Sequence, residues 1–271
     1  MFNLLRADLY RLKKSSVLLY TVLVGAAIIL MLIFILKYEI DNGVLNSPEG
    51  ISADMDIFGV SLVGLSKVPG AIDVAFRAAG KGDFIPLVIG IFVCIYTTNE
   101  FSFGTVKNIL AVGNKKASFY FSKLITISLS AVIIFFSIVL AAFAAGFILF
   151  GFGSEISDAV KLFQTLALQL LLHIAYAAVF FMIAALIKNT GVSIAVSIGT
   201  LIFNKMLFEA ADLLFKTGTS IQSFCMGANI RALTVPSPTF DMIAKALLVG
   251  SLFLIIPTVA GSQILSRQDV N

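Results

Sequence analysis

Long apolar runs without a charge are the feature that most limits how this chain can fold. Val17–Leu36 is twenty residues with no Asp, Glu, Lys or Arg, and Leu124–Phe152 and Leu162–Ile187 are also uncharged and longer. An α-helix needs about 20 apolar residues to cross the hydrocarbon of a bilayer, because it rises about 1.5 Å per residue. The runs therefore predict a membrane protein with several transmembrane helices.

The composition supports this prediction and excludes several other classes. Charged residues make up 13% of the chain and apolar residues 59%, whereas soluble domains carry about 25% charged residues. A soluble globular domain, a disordered chain and a nucleic-acid-binding protein are therefore excluded. Two cysteines, Cys94 and Cys225, are too few for a disulfide framework, and Cys94 is expected to be a small buried residue.

The predicted fold class is an all-α polytopic membrane protein, with residues 1–271 as a single transmembrane domain. Six spans are expected, and the second and fifth are the weakest. They lie at about residues 17–36, 84–98, 124–152, 162–187, 189–208 and 246–266. Pro257 is expected to kink the last span, because it has no N–H to donate to the carbonyl of Phe253.

The distribution of Lys and Arg predicts the orientation of the six spans. Positively charged residues concentrate in loops on the cytoplasmic side of a membrane. With six spans, ten of the 19 basic residues but only three of the 15 acidic residues fall on the side of the termini, a net charge of +7 against −3 on the other side. Both termini are therefore predicted to be cytoplasmic.

The outer segments carry three further expectations. Ile57–Val68 is too short to span and too apolar for a free loop, so it is predicted to be a helix in the outer interface. Lys205 and Glu209, four residues apart near the outer end of span five, are expected to form a local pair. Pro236-Ser237-Pro238 should stop any helix before the last span.

Nothing in the sequence predicts catalysis or a bound cofactor. The chain has one histidine and no HExxH, GxSxG or GxxxxGK[ST] motif, so no zinc site and no P-loop is expected. Gln169 and His173 lie one turn apart within span four. They are interpreted either as a polar spot on a substrate path or as an interhelical hydrogen bond, and the second is favoured.

Two segments on the predicted cytoplasmic side are amphipathic. In residues 1–16, Phe2, Leu5, Leu9 and Leu12 fall on one face of an interfacial helix that should bend into span one near Ser15-Ser16. In the loop 99–123, a short helix is predicted from Gly104 to Val112, with Ser102 or Thr105 as N-cap and Gly113 as its stop. Each segment has two interpretations. It either docks on a partner, or it is only a membrane-surface anchor (residues 1–16) or a basic loop that follows the positive-inside rule (residues 99–123).

The loop also resembles a known family. Residues 100–108, Glu-Phe-Ser-Phe-Gly-Thr-Val-Lys-Asn, are similar to the E-[FY]-x-x-G-T-[ILV]-[KR]-N signature after the second span of type-2 ABC exporter permeases. The opening MFNLLRADLYRLKKSS and Lys123 near the start of span three are also similar. The nearest resemblance is to the bacitracin- and lantibiotic-export or immunity permeases of Gram-positive bacteria.

The resemblance implies the membrane half of an ABC exporter in a bacterial cell membrane. Such a permease moves a hydrophobic or amphipathic substrate, pairs with a second permease subunit as a homodimer or heterodimer, and recruits separate ATPase subunits that bind ATP and Mg²⁺. The chain itself is then not an enzyme; its partners are the ATPase, the second permease and membrane lipid. The ATPase-coupling residues carried over are Glu100, Phe101, Gly104, Thr105, Val106, Lys107 and Ile109.

Four of these residues are given a specific role. The resemblance implies that Gly104 allows a close approach, that Val106 and Ile109 fill a groove on the ATPase and that Glu100 contacts a basic residue of the partner. Two alternatives stay open for the whole chain: a stand-alone ion-coupled transporter or channel, and a non-transporting sensor or assembly protein. The span centres hold no Asp, Glu, Lys or Arg, which counts against ion coupling.

Overall fold

The fold is a bundle of long helices with short helices at both ends. The computed structural model describes residues 2–42, 70–80, 83–111, 113, 115–152, 159–215, 221–234 and 238–267. Within these ranges the α-helices are α1 (Phe2–Lys13), α2 (Ser16–Asp41), α3 (Ala71–Gly80), α4 (Phe84–Ser102), α5 (Thr105–Ala111), α6 (Lys116–Phe150), α7 (Ala159–Ile187), α8 (Thr190–Phe215), α9 (Met226–Ala232) and α10 (Phe240–Arg267). A 3₁₀ turn, Ile221–Phe224, precedes α9.

Six of these helices, α2, α4, α6, α7, α8 and α10, are long and apolar enough to cross a membrane. The predicted all-α polytopic fold is confirmed. The helices extend beyond the predicted spans, most of all at α6, which begins at Lys116 rather than Leu124. At 35 residues, α6 is about 52 Å long, well beyond the roughly 30 Å of hydrocarbon that a span must cross.

Helices α4 and α7 form the centre of the bundle. About two thirds of the apolar window of α4 is buried within the chain (67%), against 18% for α8. Gly90 allows α4 to approach α7 closely, since a Cβ there would lie 3.1 Å from the ring of Phe180. Side-chain hydrogen bonds join α4 to α8, with Cys94 Sγ 3.2 Å from Ser197 Oγ. Cys94 is fully buried as expected.

Helix α1 defines one end of the bundle, called here the α1 end. It stops at Lys13, and the Ser15 hydroxyl caps α2 by accepting from the Leu18 N–H at 3.3 Å. The predicted break near Ser15-Ser16 is confirmed. The start of α6 and the end of α10 meet at the same end, where Lys116 Nζ donates to the carbonyl of Ser266 at 3.2 Å.

Short helices lie at the opposite end. Helix α3 packs against the end of α6, where Gly146 leaves room for its backbone and the Ala71 N–H donates to the Gly151 carbonyl at 3.1 Å. The sequence did not predict α3 or α9. The helix predicted at Ile57–Val68 and the side chains of the Lys205–Glu209 pair lie outside the described residues.

Helix α10 continues through Pro257. The Tyr120 hydroxyl of α6 donates to the Pro257 carbonyl at 3.1 Å. Gly261, one turn later, lies against the same hydroxyl, and a Cβ at this position would overlap the Tyr120 ring. The contact joins α6 and α10 near the α1 end, and the predicted kink stays a prediction.

Candidate functional site

The short helix of the 99–123 loop is present and is bracketed by glycines. Helix α5 spans Thr105–Ala111, close to the predicted 104–112. Gly104 and Gly113 have φ values of +66° and +88°, in the left-handed region that favours glycine. Gly113 is therefore the stop that the sequence indicated. The predicted N-cap was wrong: Ser102 ends α4, and it is the Gly104 carbonyl that accepts the first α5 bond, from Asn108 N–H at 3.2 Å.

The apolar face of α5 points into its own chain. Val106 is 1% exposed and belongs to the hydrophobic core, and Ile109 and Leu110 pack against that core. Val106 is therefore not available to fill a groove on another protein, and this expectation is corrected. The stripe at i, i+3 and i+4 that suggested docking is used instead to attach α5 to the bundle.

The surface that α5 does expose is different. Phe103, in the turn before α5, is 79% exposed, and Lys107, Asn108 and Ala111 are exposed as well. We call Phe103, Lys107, Asn108 and Ala111 the α5 ridge. A large aromatic side chain on an exposed turn is typical of a protein interface, because aromatic residues anchor interfaces at low entropic cost.

Phe101 and Glu100 precede the ridge in α4. Phe101 is partly buried against the core, and the Lys188 ammonium lies 5.7 Å from its ring centre. The carboxylate of Glu100 is bound within its own chain, by Lys123 and, at 3.8 Å, by Arg11. The expected contact between Glu100 and a basic partner residue is therefore replaced by contacts with two basic residues of the same chain.

These contacts belong to a buried ionic cluster formed by Asp8 of α1, Glu100 of α4 and Lys123 of α6. Lys123 Nζ lies 2.6 Å from Asp8 Oδ1 and also bonds Glu100 Oε1. The Ser122 hydroxyl donates to Asp8 Oδ2 at 2.8 Å. The side chains of Lys123 and Asp8 are 2% and 3% exposed, so one ammonium joins three helices within the protein interior.

The sequence contained a signal for this cluster that was missed. Asp8 lies three residues after Leu5 and four before Leu12, so it falls on the apolar face of α1 and not on its charged face. A single carboxylate at such a position requires a buried cation as partner. Lys123, which opens the apolar run of α6, is the residue that supplies it.

An open cavity of about 450 Å³ adjoins the ionic cluster. It lies between α1, the start of α2, the end of α4 and the start of α5. Its walls are formed by Arg11, Ser15, Val17, Tyr96, Asn99, Glu100, Phe103 and Thr105. The predicted coupling residues Glu100 and Thr105 therefore face a common space at the α1 end.

Gln169 and His173 lie far inside α7 and are both fully buried. The His173 Nδ1 is 2.7 Å from the Gln169 carbonyl, so the bond is within α7 and not the interhelical bond favoured from the sequence. The His173 Nε2 and the Gln169 amide have no hydrogen-bond partner among the described residues. His173 packs against Phe135 at 5.0 Å, and the Gln169 amide abuts Gly80 of α3.

The described residues hold no cluster of three or more His, Cys, Asp or Glu side chains arranged to bind a metal. The features that could take part in function are therefore the α5 ridge, the ionic cluster, and the buried pair Gln169 and His173 of α7. The α5 ridge and the ionic cluster lie at the α1 end, and the six apolar helices make the chain a multi-pass membrane protein.

Comparison with known proteins assigns this architecture to a family. The family model described as ABC-2 family transporter protein matches residues 4–204. The chain therefore belongs to the ABC-2 transporter family, and it is a membrane permease component of an ABC transporter. Such a component works with an ABC ATPase. No curated protein matched the chain.

Proposed function

We propose that this chain is the permease subunit of an ABC exporter that moves a hydrophobic or amphipathic substrate out of the cytoplasm or the inner leaflet. Peptide antibiotics, lantibiotics and lipid-like molecules are the substrate classes. The resemblance of residues 100–108 to bacitracin- and lantibiotic-export permeases supports the export direction and the substrate classes, and the family match over residues 4–204 supports the permease role alone. ATP is hydrolysed by the separate ATPase, and the chain itself neither binds ATP nor hydrolyses it.

The observation that carries the proposal is the α5 ridge at the α1 end. Phe103 is 79% exposed although it follows directly on a transmembrane helix, and Lys107 stands beside it on α5. The family requires an ATPase at one end of the bundle. Since the net charge of +7 falls on the side of the termini, the α1 end is proposed to be cytoplasmic, in a bacterial cell membrane.

The remaining partners follow from the same arrangement. Type-2 permeases work in pairs, so a second permease subunit, identical or different, is proposed to complete the transport path. Exposed apolar side chains along α2 and α8, such as Phe34 and Phe203, supply surface for that subunit or for lipid acyl chains. Arg11, Lys13 and Lys14 suit the headgroups of anionic lipids.

The experiment is a pull-down of tagged protein from its native host in mild detergent. The wild-type chain should recover a soluble P-loop ATPase, whereas Phe103→Ala should recover it about 30-fold less, because losing an aromatic anchor costs about 2 kcal/mol. Phe240→Ala is the matched control, since Phe240 is 84% exposed at the other end of the bundle. Recovery of no ATPase with the wild-type chain would refute the proposal.

Labelling of single cysteines tests the orientation. An Asn108→Cys label on α5 should be accessible only from the cytoplasm, and a Thr239→Cys label before α10 only from outside. Both side chains are exposed, so each site should react once the reagent reaches its side. Accessibility of Thr239→Cys from the cytoplasm would contradict the proposed orientation.

A further inference from the structure

The buried ionic cluster connects three helices, because each of its members belongs to a different one. Asp8 is on α1, Glu100 is near the end of α4, and Lys123 is on α6. Two residues after Glu100 the helix α4 ends, and α5 begins at Thr105. The lysine therefore bonds both α1 and the segment that leads into α5.

Apart from the cluster, few fully buried side chains in the described part of these two elements hold them to the bundle. On α1, the buried side chains among the described residues are Asp8 and Leu12, and on α5 Val106 is the one buried side chain. An isolated helix of seven or twelve residues is not stable in water. Both helices consequently depend on contacts with the bundle. Lys123 supplies a charged contact to α1 and, through Glu100, to the end of α4 that leads into α5.

The geometry points to Lys123 as a positioning residue whose single ammonium clasps both α1 and the entry to α5, so that loss of this one side chain releases both helices. The clasp is intramolecular and exists without a partner. Its role in transmitting ATPase motion rests on the proposed function, in which α1 and α5 lie on the ATPase.

The net charge of the cluster shows how one ammonium can serve two carboxylates. Lys123 with one carboxylate would already be a neutral buried pair. The second carboxylate is balanced from outside by Arg11, whose side chain is 46% exposed and lies 3.8 Å from Glu100. Because a buried ion that loses its partner is strongly destabilising, removal of the lysine would release both carboxylates at once, whereas neutralising one carboxylate leaves the other pair intact.

Hydrogen exchange of the purified chain in detergent tests this arrangement. Asp8→Asn should speed exchange of the α1 amides about tenfold and leave α5 unchanged, since a bond to a charged group is removed from α1 alone. Glu100→Gln should speed α5 exchange and leave α1 unchanged. Asp41→Asn is the matched control, because Asp41 pairs with Lys37 on the exposed surface, at 2.7 Å and 56% exposure, and should change neither helix.

Lys123→Met alone leaves two buried carboxylates and is expected to fail in folding. The decisive variant is therefore Asp8→Asn/Glu100→Gln/Lys123→Met, in which no buried charge is left in the cluster. This triple variant should insert normally and retain slow exchange at the centre of α7, while α1 and α5 both exchange at least about tenfold faster. Exchange within about twofold of the parent in either helix would overturn the clasp.

A second readout separates the clasp from the proposed function. The triple variant should recover about tenfold less ATPase than the parent in a pull-down, while its thermal stability is unchanged. A cluster that only stabilised the fold would not lower ATPase recovery without lowering thermal stability. Unreduced recovery together with fast exchange would refute the coupling role. If the parent recovers no ATPase, the proposed function fails, and the exchange measurement still decides whether the clasp exists.

Discussion

Val106 gives the sharpest test of how α5 is attached. The side chain is 1% exposed within its own chain, so Val106→Ala removes about two buried methylene equivalents. At about 0.8 kcal/mol each, plus a cavity that the neighbours fill only in part, the free energy of unfolding should fall by about 2 kcal/mol. The better helix propensity of alanine returns a few tenths of this loss.

The measurement is unfolding in mixed micelles by a denaturing detergent, followed by circular dichroism. Val192→Ala is the matched control, because Val192 on α8 is 51% exposed, and it should change stability by less than about 0.5 kcal/mol. Val106→Asp should lower the yield of folded protein further, since it buries a carboxylate without a partner. If Val106→Ala is as mild as the control, the packing of α5 against its own chain is refuted.

Two further substitutions test backbone and packing constraints in the same assay. Gly104→Ala should cost about 1 kcal/mol, because alanine is strained at φ +66° although nothing lies within 4 Å of its Cβ. Gly191→Ala should instead be neutral or stabilising, because the position is helical and the added Cβ would meet only Asn189 Oδ1, at 3.7 Å. Gly261→Ala should destabilise by overlap with the Tyr120 hydroxyl, and the loss should shrink in the Tyr120→Phe background. Equal stability losses for Gly104→Ala and Gly191→Ala would contradict the first account. Equal losses for Gly261→Ala with Tyr120 and with Phe at position 120 would contradict the second.

Much of the fold could be predicted because the thickness of the bilayer hydrocarbon sets the length of each apolar helix. The six predicted spans fall on the six long helices, and Gly104 and Gly113 mark the ends of α5, since a left-handed residue terminates a short helix wherever it packs. The exact ends could not be predicted in the same way. Helix α6 begins at Lys116, eight residues before the apolar run, because polar residues of its first turns, Ser122 and Lys123, are buried by α1.

The direction of the α5 stripe could not be read from periodicity, and the reason is general. A helix of two turns with apolar residues at i, i+3 and i+4 presents the same pattern whether that face meets its own bundle or a partner. Which of the two occurs depends on tertiary packing, here against the preceding helix α4 and the core residues around Val106. The carboxylate of Asp8 is more informative, because a charge on an apolar face is costly unless the fold provides a cation. A misplaced charge therefore identifies a tertiary contact where a well-placed apolar stripe does not, and in this chain it leads to Lys123, the residue that joins α1 to the segment entering α5.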